Sequence, residues 1–301
     1  MEEFIECVNK IAEKYGNIGF EGIVVLDEFG EKVYEKRWIQ DYPRDIYSNT
    51  KCITSLAAGM AVKDGLLSAE SRVVDIFDIE PCDDKWKKLK LVDLLTMRSG
   101  FGKQYLMYFD RRKGYGAENY LNYMLTQMLI EEPGTNYLYS TGDTILAGCM
   151  IEKVSEMSLR EYLYKKVFKK MKIDFPIWET DMAGHCCGGS GLQLKLEEMT
   201  KIGCLYLCDG KWNEEVILNK KWIENSFKEY VHLHSDPYDE SYGYCWRIGN
   251  HGQFYRATGS FGQDTLIFPK ERLILGTQCK EGTDAQFLKE IFRKELLDKL
   301  S

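Results

Sequence analysis

Long runs of one kind are missing from this chain. Its 40 Lys and Arg are interspersed with 47 Asp and Glu, for a net charge of −7, and no basic run or stripe appears. That excludes the electrostatic footprint of a nucleic-acid binder. The densest basic cluster, Lys165-Lys166, Lys169-Lys170 and Lys172, is interleaved with apolar residues and reads as the wet face of a helix. No stretch approaches the ~18–20 apolar residues of a membrane span. The first residues, Met1-Glu2-Glu3-Phe4-Ile5-Glu6-Cys7, lack the basic start and apolar run of a signal peptide. There is no internal repeat and no low-complexity linker. Histidine is scarce, at four residues, and none stands in a setting that ties it to a candidate serine. The Gly-x-Ser-x-Gly elbow is absent too, so the sequence carries no sign of a histidine-based serine hydrolase.

Ten cysteines are present at scattered spacing, in a chain long enough to do without staples. They read as reduced core thiols, and a cytoplasmic protein is the expectation. Three places carry metal-ligating residue types: His185 before Cys186-Cys187, Cys204 with Cys208, and His232-Leu233-His234. None is followed by a second paired cluster at finger-like spacing, and all three read as packing. No metal and no cofactor is expected, nor a nucleic-acid or membrane partner.

What is there is a core. With 44% hydrophobic residues in 301, the chain can fill one large domain or two lobes. Apolar spacing at Phe4, Ile5, Val8, Ile11 and Ala12 predicts an amphipathic helix over 3–15. Gly22–Leu26 and Lys32–Lys36 flank a glycine-bearing turn and predict a β-hairpin. From 48 to about 240 the pattern is mainly helical, with segments at 48–63, 91–97, 118–130, 143–156, 158–168, 195–207 and 219–230. After Tyr242 it turns to strands at 244–248, 254–258, 265–268 and 273–277, then a closing helix over 284–299. The expected fold is α+β: an antiparallel sheet built from both chain ends, residues 1–47 and 242–301, flanked by helices. A helical lobe, 48–241, is inserted between them, within one catalytic domain spanning 1–301. A cleft between such lobes is a common ligand site.

Ser48 lies where the chain leaves the sheet. Ser48-Asn49-Thr50-Lys51 opens a predicted helix that Asp64-Gly65 stops, and Lys51 sits one turn from Ser48 on the same face. Alone, this is the pattern of a helix cap and a solvated lysine. It is also the minimum for a serine nucleophile with a lysine base beside it. Ser48 is the one serine here with a lysine three residues on. Tyr139, before the helix predicted at 143, can hold its hydroxyl near charged groups or simply pack. Ala257-Thr258-Gly259-Ser260 ends a strand, read as an edge strand, where glycine allows close backbone approach or makes a bulge. The Ser260 N–H can there join that of Ser48 as a pair of oxyanion donors.

Taken in this order, the three stretches resemble the serine β-lactamase and penicillin-binding-protein superfamily, with its class C β-lactamases, esterases, D-amino-acid peptidases and nylon-oligomer hydrolases. Ser48-Asn49-Thr50-Lys51 matches Ser-x-x-Lys, Tyr139-Ser140-Thr141 matches Tyr-x-Asn, and Ala257-Thr258-Gly259 matches Lys-Thr-Gly. Supporting likeness comes from Leu94–Gly100, Gly189-Ser190-Gly191-Leu192 and Tyr242–Trp246. The resemblance implies an acyl-enzyme: Ser48 attacks a carbonyl, Lys51 and Tyr139 share the proton, and the N–H groups of Ser48 and Ser260 hold the oxyanion. It implies contacts to substrate from Thr141, Thr258 and Gly259.

Two departures narrow the substrate. Thr141 stands where relatives carry asparagine, and Ala257 where many carry a cation that helps bind a substrate carboxylate. The Tyr-Ser-x-Gly-Asp-Thr stretch is closer to the esterase and nylon-oligomer hydrolase branch, so a small ester or amide is the expected substrate. The alternatives are a binding or sensor protein that has lost turnover, a D-Ala-D-Ala-type peptidase or β-lactamase, and a zinc hydrolase using the histidines and cysteines. Tyr244 and Trp246 can line the cleft or fill the core.

Overall fold

A computed structural model of the chain describes residues 1–80, 83–234 and 238–300; Cys82 and the middle of the 231–241 loop lie outside the described residues. The chain opens with helix α1 (Glu2–Tyr15) and the hairpin strands β1 (Phe20–Asp27) and β2 (Lys32–Arg37). A two-residue strand β3 (Arg44–Asp45) leads through a short 3-10 turn (Tyr47–Asn49) into α2 (Thr50–Lys63). Next come α3 (Val73–Phe77), α4 (Leu91–Leu95), α5 (Tyr108–Arg112), α6 (Tyr120–Leu125), α7 (Thr141–Ser155) and α8 (Leu159–Leu163). Strands β4 (Ile177–Trp178) and β5 (Leu192–Leu194) precede α9 (Leu196–Leu207). A small hairpin, β6 (Lys211–Trp212) and β7 (Glu215–Val216), and α10 (Lys220–Ser226) follow. The end of the chain supplies β8 (Val231–His232), β9 (Ser241–Tyr242), β10 (Arg247–Gly249), β11 (Phe254–Gly259), β12 (Gln263–Phe268), β13 (Leu273–Cys279) and α11 (Ala285–Phe292), whose helical course continues to Leu300.

The main sheet has eight strands in the order β2-β1-β13-β12-β11-β10-β9-β8, all antiparallel, so the two chain ends do meet, as β1 against β13. Strand β1 is buried on both faces, which explains its unbroken apolar run. Ile23 and Val25 face α1 and α11, packing with Val8, Ile11, Leu288 and Ile291. Val24 and Leu26 face the larger core with α2, α7 and α9. Helices α2 and α7 are buried almost throughout, from Thr50 to Ala61 and from Thr141 to Ile151, and pack on one another. Their apolar residues therefore surround the axis instead of marking one stripe.

Several expected boundaries move. The helix expected at 118–130 is α6 alone, and that at 219–230 is α10 alone. The strand expected at 244–248 shrinks to β10, because Cys245 takes a left-handed φ of 65° and its N–H donates to Leu95 O (2.9 Å) instead of a neighbouring strand. Tyr244 and Trp246 are core: Trp246 packs on Tyr206 and Phe227, and Tyr244 on Trp222 and Tyr230. The helix expected from Ser48 begins instead at Thr50, and Gly65 does take a positive φ, of 74°, after its end. All nine described cysteines are free thiols. Among the described residues no helix is long and apolar enough to cross a membrane.

The sheet's outer face should depend on α1. Ile11→Ala, which empties a fully buried position, is expected to cost about 2–5 kcal/mol of stability, read as a lower urea midpoint at unchanged slope. A loss near zero would mean that α1 does not seal this core.

Candidate active site

The Lys51 side chain is buried, 1% exposed, in the first turn of α2. Its ammonium donates to three acceptors from three separate segments: Ser48 Oγ at 3.2 Å, Thr141 Oγ1 at 3.2 Å and the Gly189 carbonyl at 2.8 Å. The Tyr139 ring covers it, with 4.8 Å from the ammonium to the ring centroid. A buried cation is tolerated only with such partners. One of them is a serine hydroxyl with which the amine can exchange a proton, and that pairing is the chemistry of an activated nucleophile.

Ser48 is presented by a strained turn. Tyr47, just before it, has φ 48°, a left-handed conformation that costs a bulky residue on the order of 1–3 kcal/mol. Asp45 holds it there: its Oδ1 accepts the Tyr47 N–H at 2.7 Å and the Gly191 N–H at 3.1 Å. Burial pushes the Asp45 carboxyl above its usual range, against the pull of these two donors. Strands β3 and β5 pair through Asp45 and Gln193, and the Ile46 N–H donates to Leu192 O (2.9 Å). This small sheet joins the Ser48 turn to the loop that carries Gly189.

The main sheet grips the same turn from the other side. The Asn49 amide donates to Gln263 O (3.1 Å), Ala257 O (3.3 Å) and Thr265 Oγ1 (3.3 Å). A Cβ on Gly259 would lie 2.1 Å from the Ile46 carbonyl oxygen, so only glycine lets the end of β11 come this close. The Tyr47 and Phe261 rings meet edge to face, with centroids 5.3 Å apart. Ser260 is thus held between two contacts, Gly259 on Ile46 and Phe261 on Tyr47, made to the turn just before Ser48. It lies in the exposed turn after β11, and β11 is an interior strand between β12 and β10, which corrects the edge-strand expectation. The sheet is nonetheless open locally, since the β10 ladder stops at Arg256 and reaches none of Ala257, Thr258 and Gly259. Thr258 stands opposite Asp264, and among the described residues no hydrogen bond joins it to Ser48 or Lys51.

Tyr139 precedes α7, where Thr141 is the first helical residue, and the neighbouring Ser140 Oγ accepts the Tyr105 N–H (3.0 Å). Tyr242 stands edge-on to Tyr139, and burial drives the Tyr242 phenol well above its usual range. Asp143, in the same turn of α7, is fully buried. Burial holds its carboxyl well above the ordinary 3.8, against the pull of Ser99 and of the Lys51 charge. Sequence reasoning missed Asp45, Asn49 and the Gly189 carbonyl. Of the metal-type residues, Cys204 and Cys208 point their thiols at the Asp27 and Glu28 carbonyls (3.6 and 3.2 Å), and His232 stacks edge-on to His234.

The model of the Beta-lactamase family matches residues 9–185. The chain belongs to the Beta-lactamase family. This β-lactamase-family chain is 27% identical over 144 residues to the N-acetylmuramyl-L-alanine amidase of Bacillus subtilis (strain 168), across 44% of its own length and 33% of the amidase. It is 29% identical over 161 residues to the lovastatin esterase of Penicillium rubens, across 45% of its length and 40% of the esterase. Both matches span well under half of these curated relatives. Its fold is also that of a Bacillus anthracis protein assigned as a 6-aminohexanoate-dimer hydrolase, with a TM-score of 0.80 at 18% identity, covering 96% of this chain and 81% of that one. The departure at Thr141 is partly made good, since its hydroxyl keeps a polar partner on Lys51. Ala257 is 1% exposed in the core under α2 and offers no cation.

Two outcomes follow from this geometry. A Cβ on Gly189 would lie 2.6 Å from Thr144 Oγ1, 2.8 Å from Thr141 Cγ2 and 3.1 Å from Lys51 Nζ. Gly189→Ala should therefore slow labelling of the folded protein by a fluorophosphonate about 100-fold, as a misplaced base does; an unchanged rate would contradict the lysine's anchoring. A raised folded pKa means that Asp143 contributes stability fully below its unfolded value of 3.8, lost as pH rises through the folded value. Asp143→Asn, which cannot ionise, should flatten the decline in melting temperature as pH rises above about 4. Parallel curves for the two proteins would refute that.

Proposed function

We infer that this chain is a metal-independent serine hydrolase that cleaves a small ester or amide through an acyl-enzyme. The observation that carries this reading is the buried Lys51 ammonium bonded to Ser48 Oγ. In acylation, Ser48 Oγ bonds to the substrate carbonyl carbon while its proton passes to Lys51, with Tyr139 sharing it. The negative oxygen is received by the N–H groups of Ser48 and Ser260. The bond to the leaving alcohol or amine breaks, and the proton returns through Tyr139 to that group. Water then attacks the acyl carbon, gives its proton to the same residues and frees Ser48. Thr141, Thr258 and Gly259 line the substrate's path. The buried Ala257 supports a substrate without a carboxylate at that end. The amidase and esterase names of the relatives support the bond classes, amide and ester.

The test is a fluorophosphonate probe followed by intact mass, beside a panel of p-nitrophenyl esters, short D-amino-acid amides and nitrocefin. The wild type should gain one adduct and Ser48→Ala none, with Lys51→Ala slowed on the order of 10²–10⁴-fold. Undiminished labelling of Ser48→Ala would sink the reading. A folded, labelled protein that turns over nothing in the panel would favour a binding or sensor role.

A further inference from the structure

A second constellation lies on the far half of α7. Cys149 and Glu152 stand one turn apart on this helix, and His185 comes from the turn closed by the Thr180–Cys186 bridge. One ligand atom from each of the three residues lies within 4.8 Å of the others. The cysteine is buried, while Glu152 and His185 are half-buried. Each of the outer two is held in place. Glu152 Oε1 accepts the N–H groups of Leu159 (2.9 Å) and Cys186 (3.2 Å), which fixes the carboxylate. His185 Nδ1 lies 3.1 Å from the Asp181 carboxylate, whose side chain is fully buried and also accepts the backbone N–H groups of Tyr120 (2.6 Å) and His185 (2.8 Å). A carboxylate on Nδ1 fixes the tautomer that turns the lone pair of Nε2 outward, the arrangement found behind metal-binding histidines.

From this we propose that Cys149, Glu152 and His185 bind a zinc-class divalent ion, with Asp181 orienting the histidine. A thiolate, an imidazole and one carboxylate suit a borderline-soft ion and are wrong for magnesium or calcium, which take oxygen shells. Three protein ligands with a fourth position open is a common zinc set, and drawing the donors onto bonds of about 2.0–2.3 Å needs only a small closure of the present spacing. On binding, the Cys149 thiol loses its proton to solvent and its sulfur bonds the ion. A solvent-open groove of about 300 Å³, bordered by Glu156, Met157, Gly184 and His185, gives the ion a way in. The site is separate from Ser48 but mechanically joined to it. Four residues lead from His185 to Gly189, whose carbonyl anchors Lys51, and α7 begins at Thr141. The ion would clamp α7 to that segment and stiffen the lysine's surroundings without taking part in the chemistry.

The test titrates chelator-treated full-length protein with zinc by calorimetry, with elemental analysis after desalting. One equivalent per chain is expected. Cys149→Ser and His185→Gln should each weaken binding on the order of 100-fold or more, and Asp181→Asn about 10–100-fold. Cys208→Ser should leave it unchanged. With cobalt in place of zinc, a thiolate-to-metal absorption band should appear and vanish in Cys149→Ser. Circular dichroism reports folding, and if Cys149→Ser does not fold, His185→Gln decides. Absence of stoichiometric zinc, or equal affinity in the folded ligand variants, overturns the proposal whatever the fate of the hydrolase reading.

Discussion

A charge almost fully buried at the head of α2 is the constraint on which this site depends. Lys51 is enclosed between α2, α7 and the Gly189 loop, and its ammonium needs three acceptors there. Each acceptor comes from a different segment, so the lysine is satisfied only when those segments are assembled. Burial of an unpaired ammonium costs several kcal/mol, whereas a paired one is tolerable. The same requirement brings Ser48 Oγ to the amine, so that a demand of folding puts the hydroxyl and the lysine in contact.

The second requirement is a rigid frame, because the turn before Ser48 is strained at Tyr47. Two sheets supply it from opposite sides. The β3–β5 ladder and Asp45 bind the turn to the Gly189 loop, while Asn49 and the missing side chain of Gly259 bind it to β11 and β12. Strain at Tyr47 persists because these contacts over-determine the backbone. The result is a serine fixed between its lysine on one side and, on the other, the end of β11 that lies beyond the β10 ladder.

Much of this was legible in the sequence, for physical reasons that differ by element. Strand β1 shows because burial on both faces leaves an apolar run, β2 because a glycine-bearing turn joins it to β1, and α1 because its buried face repeats every three to four residues. Ser48 and Lys51 show because one helical turn separates them. Strands β3 and β5 do not show: two or three residues are too few for any periodicity, yet they carry Asp45 to Gly191. The Gly189 carbonyl is a backbone atom and carries no residue signature. Asn49 inside the Ser-x-x-Lys stretch looks like filler until β12 is seen beside it. The interior place of β11 was misread because its pairing with β10 is confined to its first half.

The most direct test of the account is a crystal structure of the protein after reaction with a fluorophosphonate. The phosphorus should be bonded to Ser48 Oγ, with one phosphonyl oxygen between the N–H groups of Ser48 and Ser260. Lys51 should still be on Thr141 Oγ1 and the Gly189 carbonyl, with Tyr139 over its ammonium. Phosphorus on another residue, or a Lys51 side chain turned away from Ser48 toward solvent, would contradict it.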